Sequence, residues 1–376
     1  MKFTELPTPC FLLDENKLIQ NLAVLRDVAQ RSGAKILLAQ KAFSMFSVYP
    51  LIAEYLDGTT ASGLFEARLG KEHFGKETHV FSPAYTEQEF GELLQYADHI
   101  VFNSFSQWKA YGNYARIAGK SCGLRINPEC STQDPDHAMY DPCGPTSRLG
   151  VTLENFQPEM LNGIDGFHFH TLCEQNSDAL VRTVAAFESK FGAYMEGMKW
   201  LNLGGGHHIT RDDYDVEKLV SLIIYLRRKY NVEVYLEPGE AVVLGAGYLV
   251  GTVLEIVHNH AHIAILDTSA ACHMPDVLEV PYRPPVFRSG QPNEKAFTYL
   301  LTGRTCLAGD IIGEYSFDNR LLVGDQVVFG DMALYTMVKT NTFNGMPLPN
   351  IAIRRVSGTD EVVRAFGYED FKNRLS

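Results

Sequence analysis

The chain has 376 residues, too many for one ordinary core unless that core is an α/β barrel, so a barrel with an appendage or a pair of domains is expected. Its 33 Lys and Arg against 45 Asp and Glu leave a net charge of −12, which argues against a nucleic-acid or anionic-membrane partner and suits a cationic ligand. There is no apolar signal region and no apolar run of about 18 residues, and the seven scattered cysteines contain no C-x-x-C pair, so a cytoplasmic protein with free thiols is expected, with neither a disulfide framework nor a thiolate metal site.

A short strand over 10–13 and a helix over 15–31 open the chain. Eight short apolar runs follow, predicted as strands at 36–39, 58–61, 79–81, 100–102, 122–126, 166–169, 200–203 and 233–236. Between them, apolar residues recur three and four apart over 48–56, 64–74, 87–96, 106–117, 153–161, 177–195 and 216–230, which predicts helices. Eightfold strand-helix alternation is the pattern of a parallel (β/α)8 barrel. A doubly wound dinucleotide fold is disfavoured, because the Gly204-Gly205-Gly206 triplet lacks the G-x-G-x-x-G spacing and comes late in the chain. From residue 247 the texture changes to alternating β-branched runs at 250–257, 262–266, 297–301, 326–329 and 335–338, which predicts an antiparallel β domain. The expected division is therefore 1–32 joining the β domain, 33–246 the barrel, and 247–376 the β domain. Two loop-like stretches, 127–150 and 274–293, have the composition of functional lids or disordered segments.

Barrel enzymes build their sites at the carboxyl ends of the strands. Here those ends carry Lys41, Ser62, Asn103, Arg125 with Asn127, His168 with His170, the glycine triplet and Glu237. Each has an ordinary reading on its own: Lys41 as a strand-end lysine reaching solvent, the triplet as a plain flexible loop, Glu237 as a turn acid, His170 as a core histidine. His168 with His170, or His207 with His208, makes a poor metal site without a third ligand nearby, and no metal is expected. Taken together, an imine-forming lysine, a glycine nest for a phosphate and a carboxylate for a ring nitrogen match what pyridoxal 5'-phosphate requires, with an imidazole able to stack on the ring.

The order Ala39-Gln40-Lys41-Ala42, Phe167-His168-Phe169-His170-Thr171, Leu203-Gly204-Gly205-Gly206, Glu237-Pro238-Gly239, Gly303-Arg304-Thr305-Cys306 and Leu334-Tyr335-Thr336, followed by Asn341-Thr342-Phe343-Asn344-Gly345, resembles the fold-type III pyridoxal-phosphate decarboxylases over nearly the whole chain. That family includes ornithine, diaminopimelate and carboxynorspermidine decarboxylases. The resemblance implies Lys41 as the Schiff-base lysine, His170 as the ring-stacking histidine and Gly204, Gly205, Gly206 and Tyr335 as phosphate contacts. It further implies Glu237 as the partner of the ring nitrogen, Arg125 near the cofactor, and Cys306 as the acid that reprotonates the α-carbon after CO2 leaves. A head-to-tail homodimer is implied as well, with the Cys306 loop completing the partner's site.

Where relatives carry Glu-Pro-Gly-Arg, this chain has Glu240; where they carry a phosphate-binding serine after the histidine motif, it has Cys173; and an acid that follows their cysteine is Leu307 here. An acid at the end of their second strand is replaced by Thr59 and Thr60. Loss of the arginine removes a grip for a distal carboxylate and disfavours diaminopimelate. Glu240, Asp267, Asp276 and Asp310 are acids suited to ammonium groups, and Arg148 can hold a substrate carboxylate, a loop carboxylate or a structural ion pair. The expected substrate is a small cationic carboxylated polyamine. The rivals are ornithine, arginine or diaminopimelate as substrate, and a non-catalytic regulatory homologue.

Overall fold

A computed structural model describes residues 6–376, apart from the side chains of 135–137, so the first five residues of the expected N-terminal segment lie outside the described residues. The chain forms two compact units, one from residues up to Gln20 together with Val243–Ser376, the other from Asn21–Val242. The division runs through the helix Glu15–Ser32, between residues 20 and 21 rather than at the expected 32–33 boundary. It recurs near 243, close to the expected 246.

In the unit Asn21–Val242, strands β2 (Lys35–Ala39), β3 (Gly58–Ala61), β4 (Glu77–Phe81), β5 (His99–Phe102), β6 (Ser121–Arg125), β7 (Gly166–His168), β8 (Trp200–Asn202) and β9 (Glu233–Leu236) pair in parallel and in chain order, and β2 closes on β9. Every expected barrel strand forms. Helix Val216–Tyr230 shows how the sequence specifies the outer layer. Asp215 accepts the Lys218 N–H (2.9 Å) as its cap, Arg227, Arg228 and Lys229 fill the last turn, and Asn231 ends it in the left-handed region. Leu219, Val220, Ile223 and Leu226 recur at helical spacing and are buried. The expected helix at 153–161 is instead two 3-10 turns, Leu153–Asn155 and Pro158–Met160. Pro158 has no N–H and disfavours the helical region at Gln157, which stands at φ −122, ψ 86.

The barrel interior is filled partly by one large side chain. Trp200 packs with Leu37, Val101 and Tyr235, and it fits only because its neighbours on β6 and β7 lack side chains. A Cβ at Gly123 would sit 2.2 Å from the Trp200 ring, as would one at Gly166. Towards the amino ends of the strands, the Lys35 ammonium bonds Glu77 (2.6 Å) and lies 3.3 Å from Glu233, while the Tyr235 hydroxyl reaches both acids.

In the other unit, β1 (Cys10–Asp14), wholly buried, lies between β10 (Gly247–Asn259), antiparallel to it, and β15 (Asn350–Arg354), parallel to it. The sheet order is β13-β12-β11-β10-β1-β15-β16, with β14 also on β10, where β11 is Ala261–Leu266, β12 Phe297–Thr302, β13 Ile311–Phe317, β14 Gln326–Gly330 and β16 Asp360–Arg364. The sheet is mixed, since β11 and β12 also pair in parallel. The expected strand at 335–338 does not form: Tyr335 takes φ +47, and Met337–Lys339 is a 3-10 turn.

Candidate active site

Lys41 leaves β2 in a turn held from several sides. Gln40 N–H donates to Thr60 O (3.1 Å), Ala42 N–H to Ala39 O (3.2 Å), and Ala39 N–H to Pro238 O (3.0 Å). The last bond joins the end of β2 to the Glu237-Pro238-Gly239 turn. A Cβ at Gly239 would lie 2.6 Å from that of Ala42, so only glycine lets the two turns approach this closely. The Lys41 side chain opens into the barrel mouth and is exposed by area, yet protein surrounds it closely enough that burial is the largest influence on its amine. Burial, with the Arg125 guanidinium, holds the amine below its ordinary range, and Glu237 and Glu240 oppose this only in part. A depressed amine is a larger fraction of free nucleophile at neutral pH.

Glu237 is 7% exposed. Asn202 Nδ2 donates to its Oε1 (2.7 Å), and His168 Nε2 lies 3.4 Å from its Oε2. Burial alone would push this carboxyl up; His168, then Asn202 among its hydrogen-bonding neighbours, more than offset that and keep Glu237 ionised. Burial also pushes His168 down. Asn202 has a second task, because its Oδ1 accepts the Gly204 N–H (2.9 Å) and so couples the glutamate to the glycine triplet.

The triplet differs from the nest expected of it. Gly204 and Gly206 have positive φ (+67 and +80), and a Cβ at Gly206 would lie 2.0 Å from Leu172 O. Gly204 donates to Asn202, and Gly205 N–H donates to His170 Nδ1 (3.0 Å). Two of the three N–H groups are thus used inside the site, and that of Gly206 has no assigned acceptor among the described residues. The bond from Gly205 fixes the His170 ring. Burial, then the nearby Lys41 and Arg125 charges, holds that imidazole well below its ordinary range, so it is neutral at pH 7.

Arg125 is buried, donates to His170 O (3.1 Å), lies 4.5 Å from the Phe81 ring centre, and is pushed down to about 10 by burial. Glu240 begins the short helix Glu240–Val243, is 9% exposed, and has His208 Nε2 3.3 Å from its Oε2. Burial first, then Glu240, pushes the neighbouring Cys173 thiol up to about 12. Asn103 pins the 127–150 loop, donating to Arg148 O (2.8 Å) and accepting from Gly150 N–H (2.7 Å). The exposed Arg148 side chain has no carboxylate partner among the described residues.

In the β unit, Cys306 is exposed, and its N–H donates to Asn344 Oδ1 (2.6 Å). Tyr335 is half-buried. The three aspartates expected to read a substrate amine have partners of their own. Asp267 accepts from Thr252 N–H (2.7 Å), Asp276 shares the Lys339 ammonium with Glu279, and Asp310 accepts from Ser269, Ala271 and Thr305. These bonds brace their own unit. Asn202 is a functional candidate that the sequence reading passed over, while His208 was weighed only as a metal ligand and Asn344 only as part of a family motif. Asn202 had left a signal, as a polar residue two before the triplet at a strand end.

Among the described residues, two groups of potential metal ligands gather, Glu77 with His79 and His99, and His168 with His170 and Glu237. In the first, the Lys35 ammonium already holds Glu77, and the imidazoles stack 3.9 Å apart at 10°, so their in-plane lone pairs cannot converge on one ion. In the second, His170 Nδ1 is taken by Gly205.

The family model of the pyridoxal-dependent decarboxylases, C-terminal sheet domain, matches residues 46–333. The chain is 45% identical over 385 residues to a carboxynorspermidine/carboxyspermidine decarboxylase of Campylobacter jejuni subsp. jejuni, with both chains covered in full. It is 42% identical to a carboxyaminopropylagmatine decarboxylase of Synechocystis, covering 100% of this chain and 97% of the other. The crystal structure of the Campylobacter jejuni carboxynorspermidine decarboxylase complexed with norspermidine superposes with a TM-score of 0.92 at 44% identity, over 98% of this chain and 100% of that one.

Proposed function

The chain belongs to the pyridoxal-dependent decarboxylases, and from that premise we propose that it removes CO2 from carboxynorspermidine or carboxyspermidine, as a cytoplasmic homodimer in polyamine biosynthesis. Among the described residues no helix is long and apolar enough to cross a membrane. The observation that carries the reading is Glu237, a buried carboxylate kept ionised by Asn202 and His168, on a turn bonded to the one that carries Lys41.

The barrel mouth fits pyridoxal phosphate on its own terms: a lysine of depressed basicity, a fixed neutral imidazole, a Gly206 N–H without an acceptor among the described residues, and an ionised acid. Lys41 would hold the cofactor covalently, His170 would lie against the ring, Gly206 would bind the phosphate with Gly204 and Gly205 shaping its cradle, and Glu237 would face the ring nitrogen. When bound, the cofactor supplies an electron-accepting ring that stabilises the charge left on the α-carbon as CO2 departs. Arg125 lends positive charge beneath the site through its bond to His170 O. Arg148 is the candidate grip for the substrate's carboxylate, Glu240 the acid that reads its ammonium groups, and Cys306 of the partner subunit the proton donor to the α-carbon.

A panel measuring CO2 release tests this reading. Carboxynorspermidine and carboxyspermidine are expected to lead it, with ornithine, arginine and diaminopimelate far behind. Carboxyaminopropylagmatine belongs in the panel because of the Synechocystis relative, and its preference over the others would reassign the distal group from ammonium to guanidinium. Lys41→Ala is expected to lose the visible absorbance of bound cofactor. A wild type that binds the cofactor and turns over none of these substrates would instead be a regulatory homologue.

A further inference from the structure

Asp310 is 2% exposed, and its carboxylate is saturated from two directions. Ser269 Oγ donates to it (2.9 Å to Oδ2), Ala271 N–H donates to Oδ1 (3.2 Å), and Thr305 Oγ1 donates to Oδ2 (2.7 Å). Thr305 precedes Cys306. Gly303 N–H donates to Asp310 O (2.9 Å) and Asp310 N–H to Leu307 O (3.0 Å), so both ends of the cysteine loop close on this residue. A Cβ at Gly303 would lie 2.1 Å from Oδ2, so glycine there gives the carboxylate its place.

The contacts continue round to the thiol from its other side. Asn341 Nδ2 donates to Ala271 O (2.8 Å), Asn341 Oδ1 accepts the Phe343 N–H (3.0 Å), and Asn344 Oδ1 accepts the Cys306 N–H. Asp310, the turn at 270–273, the turn at 341–344 and Cys306 thus form a closed circuit of hydrogen bonds. A thiol at an exposed loop tip would otherwise sample many positions, and proton transfer to one carbon requires one.

We infer that Asp310 is a positioning residue for Cys306, setting the place of the thiol through Thr305 and the 270–273 turn rather than binding the substrate's amine. The inference rests on Cys306 as proton donor. Asp310→Ala is expected to lower kcat about 10²-fold, the scale of a misplaced catalytic group, with KM changed less than about twofold. In a Cys306→Ala background the same substitution is expected to cost nothing further, because the two act as one unit. Asp310→Asn, which keeps an acceptor for Thr305, is expected to recover part of the loss. A loss of the same size in both backgrounds, or one confined to KM, overturns the inference. Full kcat in Cys306→Ala alone would instead remove Cys306 as proton donor. If Asp310→Ala fails to fold, Ser269→Ala and Thr305→Val take its place; each is expected to cost about tenfold, non-additively with Cys306→Ala, and full activity in both overturns the inference.

Discussion

A carboxylate at the ring nitrogen is useful only while ionised, and burial works against that. At Glu237 the opposition comes from Asn202 and His168, on β8 and β7. Glu237→Gln keeps the shape and removes the charge; kcat is expected to fall by about 10²-fold or more while Lys41 still retains the cofactor, read by turnover beside the visible spectrum. Asn202→Ala removes the donor and also frees Gly204 N–H, and about a tenfold loss in kcat is expected in the same assay. The placement of Lys41 and Glu237 just past strand ends was legible in the sequence, because Glu237 follows an apolar strand directly and Lys41 follows one after Gln40. The partners of an acid are not so legible, being set by tertiary neighbours. Asp267, Asp276 and Asp310, read as acids suited to ammonium groups, are braced by Thr252, Lys339 and Ser269, and two of the three glycine N–H groups are used by Asn202 and His170.

Among elements, the barrel strands were legible from short apolar runs, and where the reading failed a particular residue explains it. Pro158 divides an apolar pattern at helical spacing into two turns, and Tyr335 in the left-handed region ends what looked like a strand. β13, β15 and β16 were missed: β13 contains Gly313 at φ +154, Asn350–Arg354 is short, and Asp360–Arg364 is short and charged. Gly123 and Gly166, inside barrel strands, leave the space that Trp200 fills. Gly123→Ala drives a methyl against that ring and is expected to destabilise the protein by about 3 kcal/mol in urea unfolding. Trp200→Leu in the same chain is expected to make the two costs less than additive. Strict additivity would mean that the ring is not what Gly123 accommodates.

Across the whole molecule, buried neutral histidines make stability depend on acidity. Burial pushes His99 down to about 3, and His207 and His273 to about 4. His99 and His207 belong to the barrel, and His273 to the β unit, where its Nδ1 meets Thr268 (2.9 Å) and its Nε2 Pro347 O (3.0 Å). Unfolded, all three would take a proton near pH 6.5; folded, they refuse it until far lower. The unfolded state therefore binds more protons below pH 6.5, and stability falls as pH drops from there towards 4, with each histidine contributing up to about 1.4 kcal/mol per pH unit. Glu237, lowered from 4.5 to about 2, adds its own loss as pH falls below about 4.5, where it overlaps the lower end of the histidine window. Unfolding midpoints in urea are expected to be flat above pH about 7 and to fall steadily below about 6.5. His273→Gln cannot titrate and retains a donor and an acceptor, so it is expected to remove about a third of that slope while leaving the midpoint above pH about 7 little changed. A midpoint that stays constant down to pH about 5 would mean that these rings reach protons without unfolding.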